Sequence, residues 1–449
     1  MVYNRIIDNK QKRYFKMKKS LKLISAILTA TISMSIAPAI SANPPKSGHS
    51  IQSSQSNSVI KISSLEDLNH LRDLSNQGEN FEGKTVILEN DIYITKDQTK
   101  DGEPIEFKSI FKCPYDSVGD NHNIGFKGIF DGNGKTLHFN ATNSNIFGSI
   151  AKGGIVKNLN ITGRFEGDLE GGTVALFNFG TIDNIKIDIS ARCTTTSVIG
   201  VCAFNQKSGI IKNCSVKGDL STNDMACTGI CSDNRGIIES CSFSGKLTNG
   251  CEEPKEAGFM LEETGGIASF NSGLVKNCNV EANLSSLYEG KFIGCAGGIV
   301  STNNGLIENS YFKGSIAAES PGSLTGSNYG IVRLCKSDAN LKGPLAAEFT
   351  SLNMWGYESF CEYEPIKNQP QGVIDGCEFK GTVTGCVESG KIAAYDNMLS
   401  CESSLGPIHV PTITNCKING NNAVRETDNY YKNDADERYI TDPRYTANM

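Results

Sequence analysis

Gly209-Ile-Ile-Lys-Asn-Cys214 is followed 27 residues later by Gly236-Ile-Ile-Glu-Ser-Cys241, and the same six-residue pattern occurs nine times in the chain. The other copies begin at Gly154, Gly180, Gly273, Gly305, Gly330, Gly372 and Pro411. The shortest spacing, 25 residues from Gly305 to Gly330, suits one turn of a three-sided β-coil, and the longer spacings indicate insertions. The 449 residues are therefore predicted to form a solenoid rather than several unrelated domains.

The spacing of apolar residues inside one repeat predicts strands separated by a bend. After the cysteine position the pattern steps by two, as in Cys214, Val216, Gly218 and Leu220. Between Ile211 and Cys214 the step is three, so the alternation slips at Asn213, a residue type that tolerates the left-handed backbone of a bend. The predicted fold is all-β, a right-handed parallel β-helix over residues 59–420.

Asparagines recur at two positions of the repeat. The first column is predicted to contain Asn158, Asn184, Asn213, Asn277, Asn309 and Asn415, and the second Asn178, Asn205, Asn234, Asn271, Asn303 and Asn328. If equivalent residues stack, each amide can donate to one neighbour and accept from the other. We expect both columns to satisfy polar groups at buried corners of every coil, which is a structural role.

The 16 cysteines invite a disulfide framework, but the repeat argues against it. Six of them, at 214, 241, 278, 335, 377 and 416, share the position at which other coils carry Leu159, Ile185 and Ser310. Free cysteine behaves as a small apolar residue, so these six are predicted to fill the core. Cys202 and Cys231 share another position in adjacent coils and come close enough for a bond, but in-register parallel stacking rarely gives the dihedral angle of a disulfide. The five histidines are scattered, so neither a metal site nor a cofactor is expected.

The first 42 residues have the features of a secretory signal peptide. Basic residues precede an apolar stretch over 23–40, which small residues follow. A membrane anchor is the alternative, and Pro38 makes it the less favoured one. Residues 1–42 are thus interpreted as the signal and 43–58 as a serine-rich linker, which predicts a secreted or cell-surface protein. The net charge of −6 disfavours nucleic acid and anionic membranes as partners.

Both ends of a solenoid need covering because its outer strands have unpaired edges. At the N-terminus, Val59–Ile62 is predicted as a strand, and Ser63 with Glu66 as a capping box that starts a short capping helix. The apolar face of that helix would contain Leu65, Leu68, Leu71 and Leu74. The polar residues 421–449 are interpreted as a C-terminal tail or cap.

The repeats beginning at Gly265 and Gly297 are longer than the six-residue pattern. Gly265-Gly-Ile-Ala-Ser-Phe-Asn271-Ser-Gly-Leu-Val-Lys-Asn-Cys278 and its counterpart at 297–310 resemble the GLUG-type repeats of bacterial surface β-helix proteins. Residues 126–137 are similar to the start of such domains, and the resemblance covers roughly residues 58–420. It implies the pectin-lyase-like architecture and an association with surface adhesins or secreted peptidases, although no His-Glu-x-x-His motif occurs.

Insertions on a rigid scaffold are the first places to look for binding. The insertion over 344–371 contains the only tryptophan, and its predicted ligand-binding residues are Trp355, Tyr357, Glu358, Phe360 and Tyr363. Aromatic faces beside carboxylates suit sugar rings, which predicts a polysaccharide or a host or cell-surface ligand. The alternative is that these aromatics pack against the solenoid. An acidic insertion over 248–264 and another over 398–410 are further candidates.

Two functions of different classes follow from the sequence. The first is a non-catalytic binding protein of adhesin type, and the alternative is a polysaccharide lyase or glycoside hydrolase. Such enzymes need clustered carboxylates, and no compact pair of acids recurs in adjacent coils with an arginine. Asp183, Asp188 and Asp219 are therefore interpreted as exterior acids, and no catalytic residue is assigned. A structural envelope protein without a ligand is a third possibility.

Overall fold

A computed structural model describes residues 58–111, 123–142, 145–167, 171–194, 196–223, 226–250, 263–355, 364–365, 372–384, 393–398, 412–423, 430–433 and 438–440. All of these belong to one compact unit. The predicted signal peptide over 1–42 lies outside the described residues, as does all of the 43–58 linker except Ser58.

One helix, α1, covers Leu65–Asn76 and the remaining described elements are strands. The first twenty strands are β1 Val59–Ile62, β2 Thr85–Leu88, β3 Ile92–Ile94, β4 Ile129–Asp131, β5 Thr136–Ala141, β6 Phe147–Ile150, β7 Ile155–Glu166, β8 Ala175–Asn178, β9 Thr181–Cys193, β10 Val198–Ile199, β11 Cys202–Asn205, β12 Ile210–Lys212, β13 Ser215–Thr222, β14 Cys227–Thr228, β15 Cys231–Asn234, β16 Ile237–Glu239, β17 Ser242–Asn249, β18 Glu263–Gly265, β19 Ala268–Asn271 and β20 Leu274–Lys276.

The remaining strands continue the same succession towards the C-terminus. They are β21 Asn279–Tyr288, β22 Lys291–Phe292, β23 Cys295–Gly297, β24 Val300–Asn303, β25 Leu306–Glu308, β26 Tyr311–Ala317, β27 Ser320–Gly322, β28 Thr325–Asn328, β29 Ile331–Arg333, β30 Lys336–Lys342, β31 Thr350–Trp355, β32 Val373–Asp375, β33 Glu378–Thr384, β34 Ala393–Met398, β35 Thr412–Thr414, β36 Lys417–Ile418, β37 Asn421–Asn422, β38 Tyr430–Asn433 and β39 Arg438–Ile440.

Successive strands along the chain belong in turn to three different sheets. In a central coil, β12 and β13 lie in the largest sheet, β14 in a second and β15 in a third, after which β16 returns to the first. Strands of neighbouring coils pair in parallel and in register, so that Val216 lies opposite Phe243 and Phe243 opposite Val280. Each repeat is therefore one coil, and the predicted all-β parallel solenoid is confirmed.

The core of the coils is filled by the residues that the period-two pattern points inward. Ile211, Val216 and Leu220 are at most 1% exposed, and their equivalents in other coils are buried with them. The six cysteines of the shared position are buried and form no disulfide, and the other cysteines among the described residues are buried as well. Cys202 and Cys231 are opposite each other in paired strands and are also free. The prediction that cysteine serves here as core filler is confirmed.

The corner between the two strands of the largest sheet is formed by one residue in the left-handed region. At this corner Asn158, Asn184, Asn213, Asn277, Asn309 and Asn415 have φ between 47° and 55°, as the slip in alternation predicted. Ser240 and Leu334, both at 54°, occupy the corner in two other coils. The expectation that this column is buried was wrong: Asn184, Asn213, Asn277 and Asn309 are exposed, because the corner turns its side chain outward.

The second asparagine column is buried throughout. Asn178, Asn205, Asn234, Asn271, Asn303, Asn328 and Asn353 have 0% exposure and lie in the third sheet. From Asn178 to Asn328, each amide nitrogen donates to the amide oxygen of the next asparagine at 2.7–2.9 Å. The predicted amide ladder is confirmed here and extends one coil further than predicted, to Asn353.

The N-terminal elements differ from the sequence prediction by one residue. The helix α1 is capped by Ser64, whose hydroxyl accepts from the backbone N–H of Asp67, while Asp67 accepts from the Ser64 N–H. The predicted capping box of Ser63 and Glu66 was therefore wrong in position, although Ser63 also donates its backbone N–H to Asp67. Strand β1 pairs with β2 in parallel, and the helix places Leu65, Leu68 and Leu71 in the main core cluster.

Candidate functional site

Most of the predicted aromatic site lies outside the described residues. Tyr357, Glu358, Phe360 and Tyr363 belong to that part, and Trp355 is described only as the last residue of β31, opposite Met398 of β34. The side chains proposed for ligand binding are thus not brought together by any described contact.

Two described residues show how the same insertion relates to the coils. Phe349 is fully buried and makes an edge-to-face contact with Phe379 at 6.4 Å, so this aromatic belongs to the core. Glu364 lies 3.1 Å from Lys207, and Lys207 belongs to a coil five strands of the third sheet away from β31. Both side chains of this ion pair are more than half exposed, so it contributes little stability.

Exterior acids of the largest sheet are matched with lysines one coil further on. Asp183 lies 3.3 Å from Lys212, and Asp188 lies 3.5 Å from Lys217. Lys246 is likewise 3.5 Å from Asp219. These acids are dispersed along the sheet and paired, as expected of exterior charges. Of the acidic insertion over 248–264, only its ends are described, and there Glu263 accepts a hydrogen bond from Thr302.

A polar groove lies at the exposed corner of the early coils. It has a volume of about 410 Å³ and is lined by side chains of three successive coils. The lining residues are Asp131, Asn133, Gly134, Asn158, Asn160, Asn184 and Lys186. We call this surface the amide groove. Asp131 is the one carboxylate in its lining.

The amide groove exists because the first of these coils turns differently from the later ones. Between β4 and β5 the chain makes a wider turn, with Asn133 at φ 52° and Gly134 at φ 70°, whereas later coils turn at a single left-handed residue. The backbone N–H of Asn133 donates to Oδ1 of Asp131 at 2.9 Å and fixes this turn. The wider turn stands beside the ordinary corners of β7 and β9, which supply the asparagines.

Hydrogen bonds connect the lining residues across the coils. Nδ2 of Asn158 donates to Oδ1 of Asp131 at 3.2 Å, and Nδ2 of Asn184 donates to Oδ1 of Asn158 at 2.9 Å. Nδ2 of Asn160 donates to the carbonyl oxygen of Gly134 at 2.7 Å. The groove therefore has a preorganised set of polar atoms on strands and on one hydrogen-bonded turn.

The charge at the floor of the groove is fixed by the neighbours of Asp131. Partial burial acts to raise the pKa of its carboxyl group, but the Asn133 N–H, the Asn158 amide and the Lys157 ammonium outweigh that effect, and the pKa lies below its ordinary value. Nζ of Lys157 is 3.3 Å from Oδ2 of Asp131. The carboxylate is therefore ionised at neutral pH and held by its partners.

Sequence reasoning did not identify the amide groove. Its signal is the segment Asp131-Gly-Asn-Gly134, which was interpreted only as coil-start architecture. The site consists of this turn and of three asparagines on neighbouring strands. Only the pairing register of β4, β5 and β9 with β7 shows that these residues lie together.

Neither a cluster of metal-ligating side chains nor a membrane-spanning helix is found among the described residues. Among them, no three His, Cys, Asp or Glu side chains form a group that could hold a metal ion. The same part of the chain contains no helix that is both apolar and long enough to cross a bilayer. No family model, curated protein or solved structure matches this chain.

Proposed function

We propose that this chain is a secreted or cell-surface binding protein of adhesin type that recognises a glycan. The proposal includes the finer fold assignment of a right-handed parallel β-helix related to the GLUG-type surface proteins. Right-handedness is supported by a general rule, because crossovers between parallel strands of one sheet are right-handed in nearly all proteins. The helix α1 is proposed as the N-terminal cap, since it follows the first described strand of the stack and inserts Leu65, Leu68 and Leu71 into the core.

The observation that carries the proposal is the amide groove. Amide, carboxylate and ammonium groups on adjacent strands offer both acceptors and donors for hydroxyl groups, which suits sugars. Strands hold these groups in place before a ligand binds, and preorganisation lowers the entropy cost of recognition. The aromatic insertion around Trp355 is a second contact surface in this proposal.

Binding without turnover is favoured over catalysis by the distribution of carboxylates. Glycosidases of the common type place two carboxyl groups about 5–10 Å apart across the scissile bond. The amide groove offers only Asp131, and that carboxylate is engaged by Lys157. The exterior acids Asp183, Asp188 and Asp219 each face a lysine. The alternative, a polysaccharide lyase or glycoside hydrolase, remains the hypothesis against which binding is tested.

The test is incubation of the purified protein with a panel of neutral and acidic polysaccharides and with host or plant glycans. Saturable binding by calorimetry, with no unsaturated products and no new reducing ends, is the expected result. Unsaturated products or new reducing ends would instead show that the protein is a polysaccharide lyase or glycoside hydrolase. The double variant Trp355→Ala, Tyr357→Ala measures how much the aromatic insertion contributes to glycan affinity. Unchanged affinity would mean that the insertion does not bind the glycan and that the amide groove alone does.

A further inference from the structure

We infer that the amide groove takes a neutral, hydroxyl-rich sugar unit that donates hydrogen bonds to it, rather than an acidic sugar or a cation. The inference deepens the proposed function and rests on it, since it names the ligand class of the same surface. It follows from the direction in which the hydrogen bonds of the groove run.

The amides at the floor of the groove form a chain with one direction. Asn184 donates to Asn158, and Asn158 donates to the carboxylate of Asp131. An amide whose N–H is bound to an acceptor becomes a stronger acceptor at its own oxygen, because consecutive hydrogen bonds polarise one another. The chain therefore ends at Oδ1 of Asn184 as a strengthened acceptor.

The hydrogen-bonded column of corner asparagines is interrupted after Asn184. In the next coil Asn213 does not donate to Asn184, because its Nδ2 donates to Oδ1 of Asp183 at 2.8 Å. Within the described part of the chain, Oδ1 of Asn184 receives no donor, and Asn184 is exposed. A donor group of a ligand would take the position that the next amide leaves open.

Two more amides of the lining have the same orientation. Nδ2 of Asn160 is engaged by the carbonyl oxygen of Gly134, and Nδ2 of Asn133 donates to the carbonyl oxygen of Leu88 at 3.3 Å. Each therefore keeps its amide oxygen for a ligand, as far as the described residues show. Neighbouring hydroxyls of a sugar ring are donors of the right kind for several such oxygens at once.

The charges of the groove argue against ionic ligands. A carboxylate or phosphate would meet Asp131 and three amide oxygens, all of them acceptors, with Lys186 as the one ammonium in the lining. A calcium ion prefers six to eight oxygen ligands, and here Lys157 already neutralises the only carboxylate while Lys186 adds a positive charge. Lys186 makes no ion pair within the described residues and is left to donate to a sugar oxygen.

The experiment compares the full chain with two groove variants by isothermal titration calorimetry. Asn184→Gly removes the terminal acceptor and keeps a backbone that glycine adopts without strain at φ 55°. Lys186→Met removes the ammonium and keeps the aliphatic stem. Asn277→Gly is the matched control, since Asn277 has φ 54° at the equivalent corner, three coils from Asn184, and does not line the groove. The probes are neutral hexose oligosaccharides, uronic-acid oligosaccharides of equal length, and calcium chloride alone.

Neutral oligosaccharides are expected to bind, and each groove variant to weaken that binding by about 5- to 10-fold, the loss of one hydrogen bond, while Asn277→Gly leaves it unchanged. Tighter binding of the uronic-acid series or of calcium, lost in Asn184→Gly, would overturn the inference. Neutral-sugar binding that both groove variants retain would also overturn it and leave the proposed function standing. Absence of binding to every glycan would instead refute the proposed function itself. Urea unfolding of each variant establishes that the coils are intact.

Discussion

Nδ2 of Asn271 donates a hydrogen bond to Oδ1 of Asn303 at 2.8 Å in an environment where both side chains have no exposure to solvent. The second proton of the same amide faces the backbone carbonyls of Gly273 and Leu306, each at 3.4 Å. One side chain thus joins its own turn to the turn of the following coil. Repetition of this contact makes the asparagine ladder a continuous polar connection inside an otherwise apolar stack.

Replacing Asn271 by Leu is therefore expected to destabilise the solenoid strongly. The substitution removes the shortest hydrogen bond of Nδ2 of Asn234 and of Oδ1 of Asn303, which keep only backbone contacts of 3.2–3.4 Å. The loss of such a bond to a buried polar group costs about 1–3 kcal/mol. We expect a loss of about 2–4 kcal/mol in the free energy of unfolding, measured by urea titration followed by circular dichroism.

The control for this prediction is Asn279→Leu. Asn279 is exposed on the outer face of β21, so its replacement should change the free energy of unfolding by no more than about 0.5 kcal/mol. An Asn271→Leu variant as stable as the control would show that the ladder is dispensable.

The left-handed corner offers a prediction of the opposite sign. Leu334 has φ 54° and is 52% exposed, at the corner where most other coils place asparagine. A left-handed backbone costs a residue with an ordinary side chain about 1–2 kcal/mol, and asparagine tolerates it better. Leu334→Asn is therefore expected to raise the free energy of unfolding by about 1 kcal/mol.

The reciprocal variant Asn309→Leu tests the same reasoning at φ 47°. It should lower the free energy of unfolding by a similar amount, because it introduces the strain that Leu334→Asn removes. Equal stability of both variants and the natural protein would mean that the corner does not discriminate between these side chains.

The repeat itself was sufficient to predict the coil, its inward residues and one of the two amide ladders. The sequence has asparagine at two positions of the repeat, however, and spacing alone does not show at which of them the side chain faces inward. The difference is one of backbone: Asn213 is left-handed and turns its side chain out, whereas Asn205 lies in a strand and is fully buried. Only the three-dimensional register separates the two roles.

The amide groove was unpredictable for a related reason. It depends on the amide of Asn213 donating to Asp183 instead of continuing the column to Asn184, a choice between two acceptors in one neighbouring coil. It also depends on the pair of left-handed residues Asn133 and Gly134, at a corner where the described later coils have a single left-handed residue. Residue type and spacing do not determine such choices.

The buried cysteines lead to a prediction about their reactivity. Burial raises the pKa of the Cys227 and Cys278 thiols to about 12, because the interior disfavours the thiolate. The thiolate is the reactive form, so at pH 8 these residues should resist alkylation. We expect iodoacetamide to leave the described cysteines unmodified in the folded protein and to modify them in guanidinium, as mapped by mass spectrometry.

Native alkylation of Cys214, Cys241 and Cys278 at the rate of an exposed thiol would contradict their place in the core. Peptides containing Cys227 serve as an internal comparison within each digest, since this thiol is fully buried in a different sheet.

Asp131 gives the protein a stability contribution that depends on pH. Its folded-state pKa lies below the ordinary value, since the Asn133 N–H, Asn158 and Lys157 outweigh the effect of partial burial. A depressed carboxyl pKa stabilises the folded state above the unfolded-state pKa, and that contribution is lost as the pH falls through the folded value. The natural protein should thus lose its advantage over Asp131→Asn below about pH 4. The measurement is the difference in urea midpoint between the two proteins from pH 7 down to pH 2.5. Asp219→Asn, which removes an exposed acid 3.5 Å from Lys246, controls for the loss of one negative charge. A difference between natural and Asp131→Asn proteins that stays constant over this range would contradict the assignment.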